Sequence, residues 1–173
     1  MKQQQPIYAP QTLEFVTVAT EFCAYLEKES IHERDEFVQR MLKLLPLLYL
    51  KVQLLPTQEY EPDYFMPDEQ VTEEDYEFVR SSVAATLGEE DDYEDSTFGM
   101  DIQQTELTCW KTISEGIADI YQPVRNFVTA YRIGAEACME TALWSVQEEF
   151  HQAWGTSCVD TLRRLHYMNN TQE

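Results

Sequence analysis

The sequence has few glycines and few basic residues, and both shortages narrow what the protein can be. Only five of its 173 residues are glycine, and without an Asn-Gly or Asp-Gly pair the strongest β-hairpin signal is missing. Lysine and arginine number 12 against 32 aspartates and glutamates, which gives a net charge of −20. Such a charge repels phosphate backbones and anionic membranes. Direct nucleic-acid binding is therefore disfavoured, and a basic protein is the natural partner.

Long apolar runs and paired cysteines are also missing. The most apolar stretch, residues 44–55, has polar interruptions and is far shorter than the roughly 20 apolar residues of a membrane span. The N-terminus has no apolar run of signal-peptide length, and the four cysteines are far apart without a Cys-x-x-Cys spacing. These absences predict a cytoplasmic protein with reduced cysteines and no membrane segment, and nothing in the sequence predicts a cofactor.

The sequence does contain strong helical periodicity. Hydrophobic residues make up 43% of the chain, and they recur at spacings of three and four in most segments. The first two helices are expected over residues 12–29 and 33–55. Because the second half of the latter segment is apolar nearly all round, we expect it to be central. Pro46 removes a backbone donor there, so a kink or a break is expected nearby, and Pro123 predicts a kink in a later helix.

The second half of the chain predicts three more helices. Thr72 and Asp75 form a plausible capping box, which opens a short third helix. A fourth helix is expected to start within residues 101–105, and its apolar seam is typical of antiparallel bundle packing. Gly134 marks the turn into a last long helix over roughly residues 135–168.

Together these segments predict an all-α fold, a single-domain antiparallel bundle of about five helices within residues 1–173. Residues 1–11 contain two prolines and are expected to form a flexible tail. Residues 56–106 form an acidic central connection that contains the one short helix. The part from 57 to 106 holds 17 acidic residues and one basic residue, whereas both flanks are nearly neutral. The acidity therefore belongs to the middle of the chain.

Several stretches resemble a bacterial family known as domain of unknown function 5063. They are FVTVATEFCAYLE (15–27), KLLPLLYLK (43–51), ISEGIADIYQPVRNFVTAYRIG (113–134), ALWSVQEEFHQAWG (142–155) and TLRRLH (161–166). The resemblance covers most of the chain, but its motifs consist of core and packing residues. It implies a small helical protein and supplies no activity and no catalytic residue.

The acidic run from 89 to 95 carries the most concentrated charge, and we expect it to be a loop. Its carboxylates are suited to a basic partner, with nearby aromatic side chains adding apolar contact. A solvated loop that only keeps the protein soluble is the alternative. The predicted partner-binding residues are Tyr60, Tyr64, Phe65, Glu89, Glu90, Asp91, Asp92, Tyr93, Glu94 and Asp95.

A weaker candidate is a metal site on the last helix. Glu148 and His151 have the Glu-x-x-His spacing by which helical bundles present ligands to a di-metal centre, and helical spacing places Trp144 and Trp154 on the same face. The alternative is a partly exposed face whose tryptophans pack on the connection while Glu148 and His151 meet solvent.

The sequence favours a non-enzymatic acidic module for protein interaction or regulation in the cytoplasm. One alternative is a metal-dependent helical-bundle enzyme that uses Glu148 and His151. The other is a structural homodimer whose acidic surface keeps it soluble. No catalytic and no cofactor-binding residue is predicted.

Overall fold

The computed structural model describes residues 5–28, 33–59, 61–95 and 109–170, and within them the chain is built from helices. The α-helices are α1 (Pro10–Leu26), α2 (Arg34–Gln53), α3 (Glu73–Leu87), α4 (Ile113–Ile133), α5 (Glu136–Glu149) and α6 (Gly155–Asn170). A π-helical turn joins α5 directly to α6, so these two form one long rod. The described part of the chain thus has five helical rods and one two-stranded sheet. The prediction of an all-α bundle of about five helices is confirmed.

Helix α4 is the centre of the bundle. It packs against α1, α3, α5 and α6, and its predicted apolar seam is buried from Ile113 to Phe127. Trp110, which the spacing predicts as the first residue of the seam, lies in the strand before the helix and is 73% exposed. Thr112 caps its N-terminus, and Gly134 (φ 74°) ends it in the left-handed conformation that glycine adopts without strain. Pro123 lies inside α4 without ending it. This helix is therefore the common packing partner of four of the other five described α-helices.

Helix α2 is less central than its sequence predicts. It packs mainly on α1 and α6, and Leu47, Leu50 and Leu54 are 40%, 52% and 49% exposed. The expectation that its second half is central is wrong, because only one face of α2 meets the bundle. Pro46 lies within the continuous helix and does not break it.

Across the described residues, no helix combines the length and the apolar character that a membrane span requires.

The N-terminal segment is packed, whereas its composition predicts a flexible tail. Pro6–Tyr8 form a 3₁₀ turn, and Ile7 is fully buried. The hydroxyl of Tyr131 donates a hydrogen bond to the carbonyl of Ile7 (2.8 Å). The tail prediction is therefore corrected for residues 5–11, and its first four residues lie outside the described ranges.

A short sheet stands where the sequence predicts a loop and the start of a helix. Strand β1 (Asp92–Asp95) pairs antiparallel with strand β2 (Cys109–Thr112), and α4 starts at Ile113, later than the predicted start within 101–105. Aspartate and glutamate have low strand propensity, so no local pattern marks β1. Residues 96–108, between the two strands, lie outside the described part of the chain.

The rod formed by α5 and α6 changes its winding at Phe150–Trp154, where five residues form a π-helical turn. Such a turn shifts the faces of the helix relative to the regular 3.6-residue spacing. Trp154 is 1% exposed, stacks edge-on against Phe150 at 4.7 Å between ring centres, and donates its indole N–H to the carbonyl of Val146 (3.0 Å). It is therefore a core residue of the rod.

Candidate functional site

Much of the acidic run from 89 to 95 is used inside the molecule. Glu90 accepts two hydrogen bonds from the guanidinium of Arg34 (2.8 and 2.9 Å), which lowers the pKa of Glu90. Asp91 is buried, and its carboxylate accepts hydrogen bonds from the backbone N–H (2.7 Å) and the hydroxyl (2.6 Å) of Ser114. The carbonyl of Asp91 also accepts the N–H of Ile113 (3.0 Å). Asp91 thereby satisfies two of the free N–H groups at the start of α4.

The end of the run is an ionic cluster. Asp95 is 2% exposed, and its carboxylate pairs with Lys111 of β2 and Arg163 of α6, both at 2.7 Å. Buried carboxylates are tolerated when they are paired in this way. Tyr93 is also buried, and the guanidinium of Arg164 lies 5.6 Å from its ring centre. The cluster fastens the sheet to α6.

Three carboxylates of the run remain exposed and form no ion pair with any described residue: Glu89, Asp92 and Glu94. The run therefore presents less charge to a partner than its sequence predicts. Tyr60, which the sequence also predicts as a binding residue, lies outside the described residues.

The predicted binding residues around Phe65 are far from this run. The backbone N–H of Phe65 donates to the hydroxyl of Thr141 (3.1 Å), near the start of α5, whereas Asp95 pairs with Arg163, near the end of α6. At 1.5 Å per helical residue, these two anchor points are about 30 Å apart along the rod. The aromatic residues and the acidic run do not form the single surface that the sequence predicts.

A second concentration of charge lies on the connection between α2 and α3 and on the first two turns of α3. Its six carboxylates are exposed, and within the described ranges none of them forms an ion pair. Three aromatic side chains among them, Tyr64, Phe65 and Phe78, are 75%, 58% and 45% exposed. We call this surface the acidic face, and it consists of Glu61, Asp63, Tyr64, Phe65, Asp68, Glu69, Glu73, Glu74 and Phe78.

The backbone of the connection is fixed to the bundle, which gives the acidic face a defined shape. Phe65 is tied to α5 through Thr141, and the N–H of Val71 donates to the side chain of Asn126 on α4 (2.7 Å). The connection therefore crosses from α5 to α4 before α3 begins. Since its backbone groups bond inward, its acidic and aromatic side chains are available to solvent.

The start of α3 is held by the capping box that the sequence predicts. Thr72 and Asp75 exchange hydrogen bonds between side chain and backbone (2.9 and 3.1 Å). The backbone and side-chain hydrogen bonds from Thr72 lower the pKa of Asp75. Tyr76, one residue later, donates its hydroxyl to Asp119 of α4 (2.8 Å). The first turn of α3 is thus fixed relative to α4.

A cleft of about 420 Å³ lies beside the acidic face, between the end of α1, the start of α3 and the middle of α4. Within it, Glu27 accepts a hydrogen bond from the hydroxyl of Tyr121 (2.8 Å) and pairs with the guanidinium of Arg125 (2.6 Å). Burial, together with the hydrogen bond to Glu27, raises the pKa of Tyr121. The cleft is lined by Glu27, Glu69, Gln70, Val71, Asp75, Phe78, Tyr121, Arg125 and Thr129.

The charges in this cleft do not balance. Among the described residues that line it, three carboxylates, from Glu27, Glu69 and Asp75, face one guanidinium, from Arg125. The sequence alone does not indicate this site, because its residues come from three helices and a connection. The one local signal is the spacing of Tyr121 and Arg125, which lie four residues apart and so share a face of α4.

Among the described residues, no metal site is assembled around Glu148 and His151. Both side chains are exposed, and no group of three or more histidine, cysteine, aspartate or glutamate residues in the described ranges is arranged to hold a metal ion. Trp154, predicted to share their face, is instead turned into the core by the π-helical turn. Glu148 and His151 therefore lie in solvent, as the alternative interpretation of this helix face predicts.

Comparison with known proteins gives a family model that matches nearly all of the chain. A family model described as domain of unknown function (DUF5063) matches residues 6–171. Among solved structures, the crystal structure of protein BF1032 from Bacteroides fragilis is similar, with a TM-score of 0.83, 40% sequence identity and 98% of each chain covered. The search of the curated proteins gave no match.

Proposed function

This chain belongs to the family described as domain of unknown function (DUF5063), and we propose that its function is to bind a basic protein through the acidic face. In this proposal it is a cytoplasmic bacterial protein that acts by binding and does not catalyse a reaction.

One observation carries the proposal, namely the exposed aromatic side chains among carboxylates that lack a basic partner in the described part of the chain. Uncompensated carboxylates attract and orient a basic partner. Exposed aromatic side chains such as Tyr64 and Phe65 supply the apolar anchors that contribute much of the energy of protein interfaces. The two features support binding more strongly together than either does alone.

The acidic face is a better candidate than the run from 89 to 95. Asp91 and Asp95 of that run are buried and bonded to other residues of the chain. Binding them to a partner would require breaking those contacts first. Within the described residues, the carboxylates of the acidic face have no such internal role, apart from their contribution to the first turn of α3.

Two matched variants test the location. The face variant carries Glu61→Gln, Asp68→Asn and Glu73→Gln, and the run variant carries E89Q, D92N and E94Q. Each variant removes two glutamates and one aspartate from exposed positions, so the net charge changes equally. Affinity capture from the lysate of the native host, followed by identification of the retained proteins, is carried out with both variants and the wild type.

We expect the wild type and the run variant to retain the same basic proteins at low salt, and the face variant to lose them. Retention should fall as salt rises, because exposed charges are screened over about 10 Å at 0.1 M. Loss in the run variant alone would move the site to residues 89–95. If the wild type retains no basic protein, the proposal is refuted.

A further inference from the structure

We propose that the cleft between α1, α3 and α4 is the recognition pocket for one cationic side chain, arginine or lysine, of a basic peptide segment. The inference rests on the proposed function, from which it takes a basic protein as the partner. It adds the cleft as the place of binding and a cationic side chain as the group that is bound. The cleft shares Glu69 and Phe78 with the acidic face, and neither residue is changed in the variant that tests the acidic face.

The charge of the cleft favours a cation over an anion. Its one guanidinium, that of Arg125, already pairs with Glu27 at 2.6 Å. Within the described residues, the carboxylate of Glu69 has no hydrogen-bond donor, and one oxygen of Glu27 receives both contacts from Tyr121 and Arg125 while the other receives none. A cationic group entering the cleft would therefore find free carboxylate oxygens.

The shape and the apolar lining suit a side chain with an alkyl stem. The cleft volume of about 420 Å³ lies near the lower end of the 300 to 1,000 Å³ range of small-ligand pockets. Phe78 is 45% exposed beside it, so its ring is open to a guanidinium or ammonium group. Val71 offers an apolar contact for the stem. A single side chain of a peptide segment fits this combination better than a flat protein surface does.

The probe is a short blocked peptide, acetyl-Gly-Arg-Gly-amide, with a lysine version and a citrulline version. Citrulline has the size of arginine but no charge, so it isolates the charge requirement. Binding is followed by chemical-shift changes in ¹H–¹⁵N spectra of the full chain. We expect the arginine or the lysine peptide to shift the amides of Tyr121 and Arg125, and the citrulline peptide to have little effect.

Two variants give effects of opposite sign. Glu69→Gln removes a free carboxylate and should weaken binding of the cationic peptide about fivefold. Arg125→Gln removes the competing cation, releases Glu27 and should strengthen binding by a similar factor. Glu69 is exposed, so this variant tests the inference even if Arg125→Gln reduces stability. Glu89→Gln, at the far end of the molecule, is the control and should leave binding unchanged.

The results separate this inference from the proposed function. If a basic protein is captured but the peptides shift only amides outside the cleft, the pocket is refuted and the acidic face stands. Weaker binding of the cationic peptide by Arg125→Gln would show that Arg125 does not compete with the bound cation, which also overturns the inference. If neither peptide nor protein binds, both proposals fail.

Discussion

Replacing Asp91 with alanine should lower the free energy of unfolding by about 3 kcal/mol, although the residue belongs to an acidic run that composition assigns to the surface. The carboxylate of Asp91 accepts the backbone N–H and the hydroxyl of Ser114, which is itself fully buried. A buried donor left without an acceptor costs about 1–3 kcal/mol. The hydroxyl has a second acceptor in Thr112 at 3.2 Å. The orphaned N–H of Ser114 and the loss of two charge-assisted hydrogen bonds therefore account for most of the effect.

Replacing Asp91 with asparagine should lower the free energy of unfolding much less than replacing it with alanine. Asp91→Asn keeps an oxygen that can accept the N–H of Ser114, and the hydroxyl can turn to accept from the new amide group. We expect this variant to lose about 1 kcal/mol, because the remaining hydrogen bonds are no longer charge-assisted. Asp92→Ala, next in sequence but exposed, should change stability by no more than about 0.5 kcal/mol.

Urea unfolding followed by circular dichroism measures all three variants. The dependence of the free energy on urea should stay the same while the midpoint moves, since the variants change stability and not the surface exposed on unfolding. The reasoning fails if Asp91→Ala costs no more than Asp92→Ala. It also fails if Asp91→Asn is as damaging as Asp91→Ala, because the hydrogen bonds would then not be the cause.

Two further predictions concern other parts of the molecule. In the native state Cys109 should react quickly with a thiol reagent, because it is exposed, while Cys23, Cys138 and Cys158 are buried and burial raises the pKa of Cys158 to about 12. A count of labelled thiols by mass spectrometry should give one before unfolding and four after it, and rapid native labelling of Cys158 would contradict the packing. The capping contribution of Asp75, whose pKa is lowered from 3.8 by its hydrogen bonds with Thr72, should be complete above that value and lost as pH falls through the lower folded one. The stability difference between the wild type and Asp75→Asn should therefore be smaller at about pH 3 than at about pH 6, and an equal difference at both would refute the sign.

The helices could be predicted from the sequence because their signals are local. The capping box of Thr72 and Asp75 lies within four residues, and Gly134 acts alone at the end of α4. The alternating apolar seam of α4 depends only on the spacing of three and four. Each of these signals is complete within one helical segment, so no knowledge of the neighbouring helices is needed.

The sheet and the cleft could not be predicted, because both depend on residues that are distant in sequence. Strand β1 is acidic and is stabilised by Lys111 and by Arg163, which follows Asp95 by many residues and reaches it from another element. The exposure of Leu50 on α2 likewise depends on which helices lie beside it. For the same reason, the pairing of Glu27 with Arg125 has no signal in either helix alone.

The division of the acidic residues into two groups is the strongest argument that one group has a function. The fold neutralises Glu90 and Asp95 with its own arginines and a lysine, which lowers the repulsion that a charge of −20 creates. The acidic face keeps its charge uncompensated within the described residues, and it also exposes Tyr64 and Phe65 to water. Solubility would explain the charges but not the exposed aromatic rings, because apolar surface works against it. A basic partner that also has an apolar surface would neutralise the carboxylates and cover the aromatic rings.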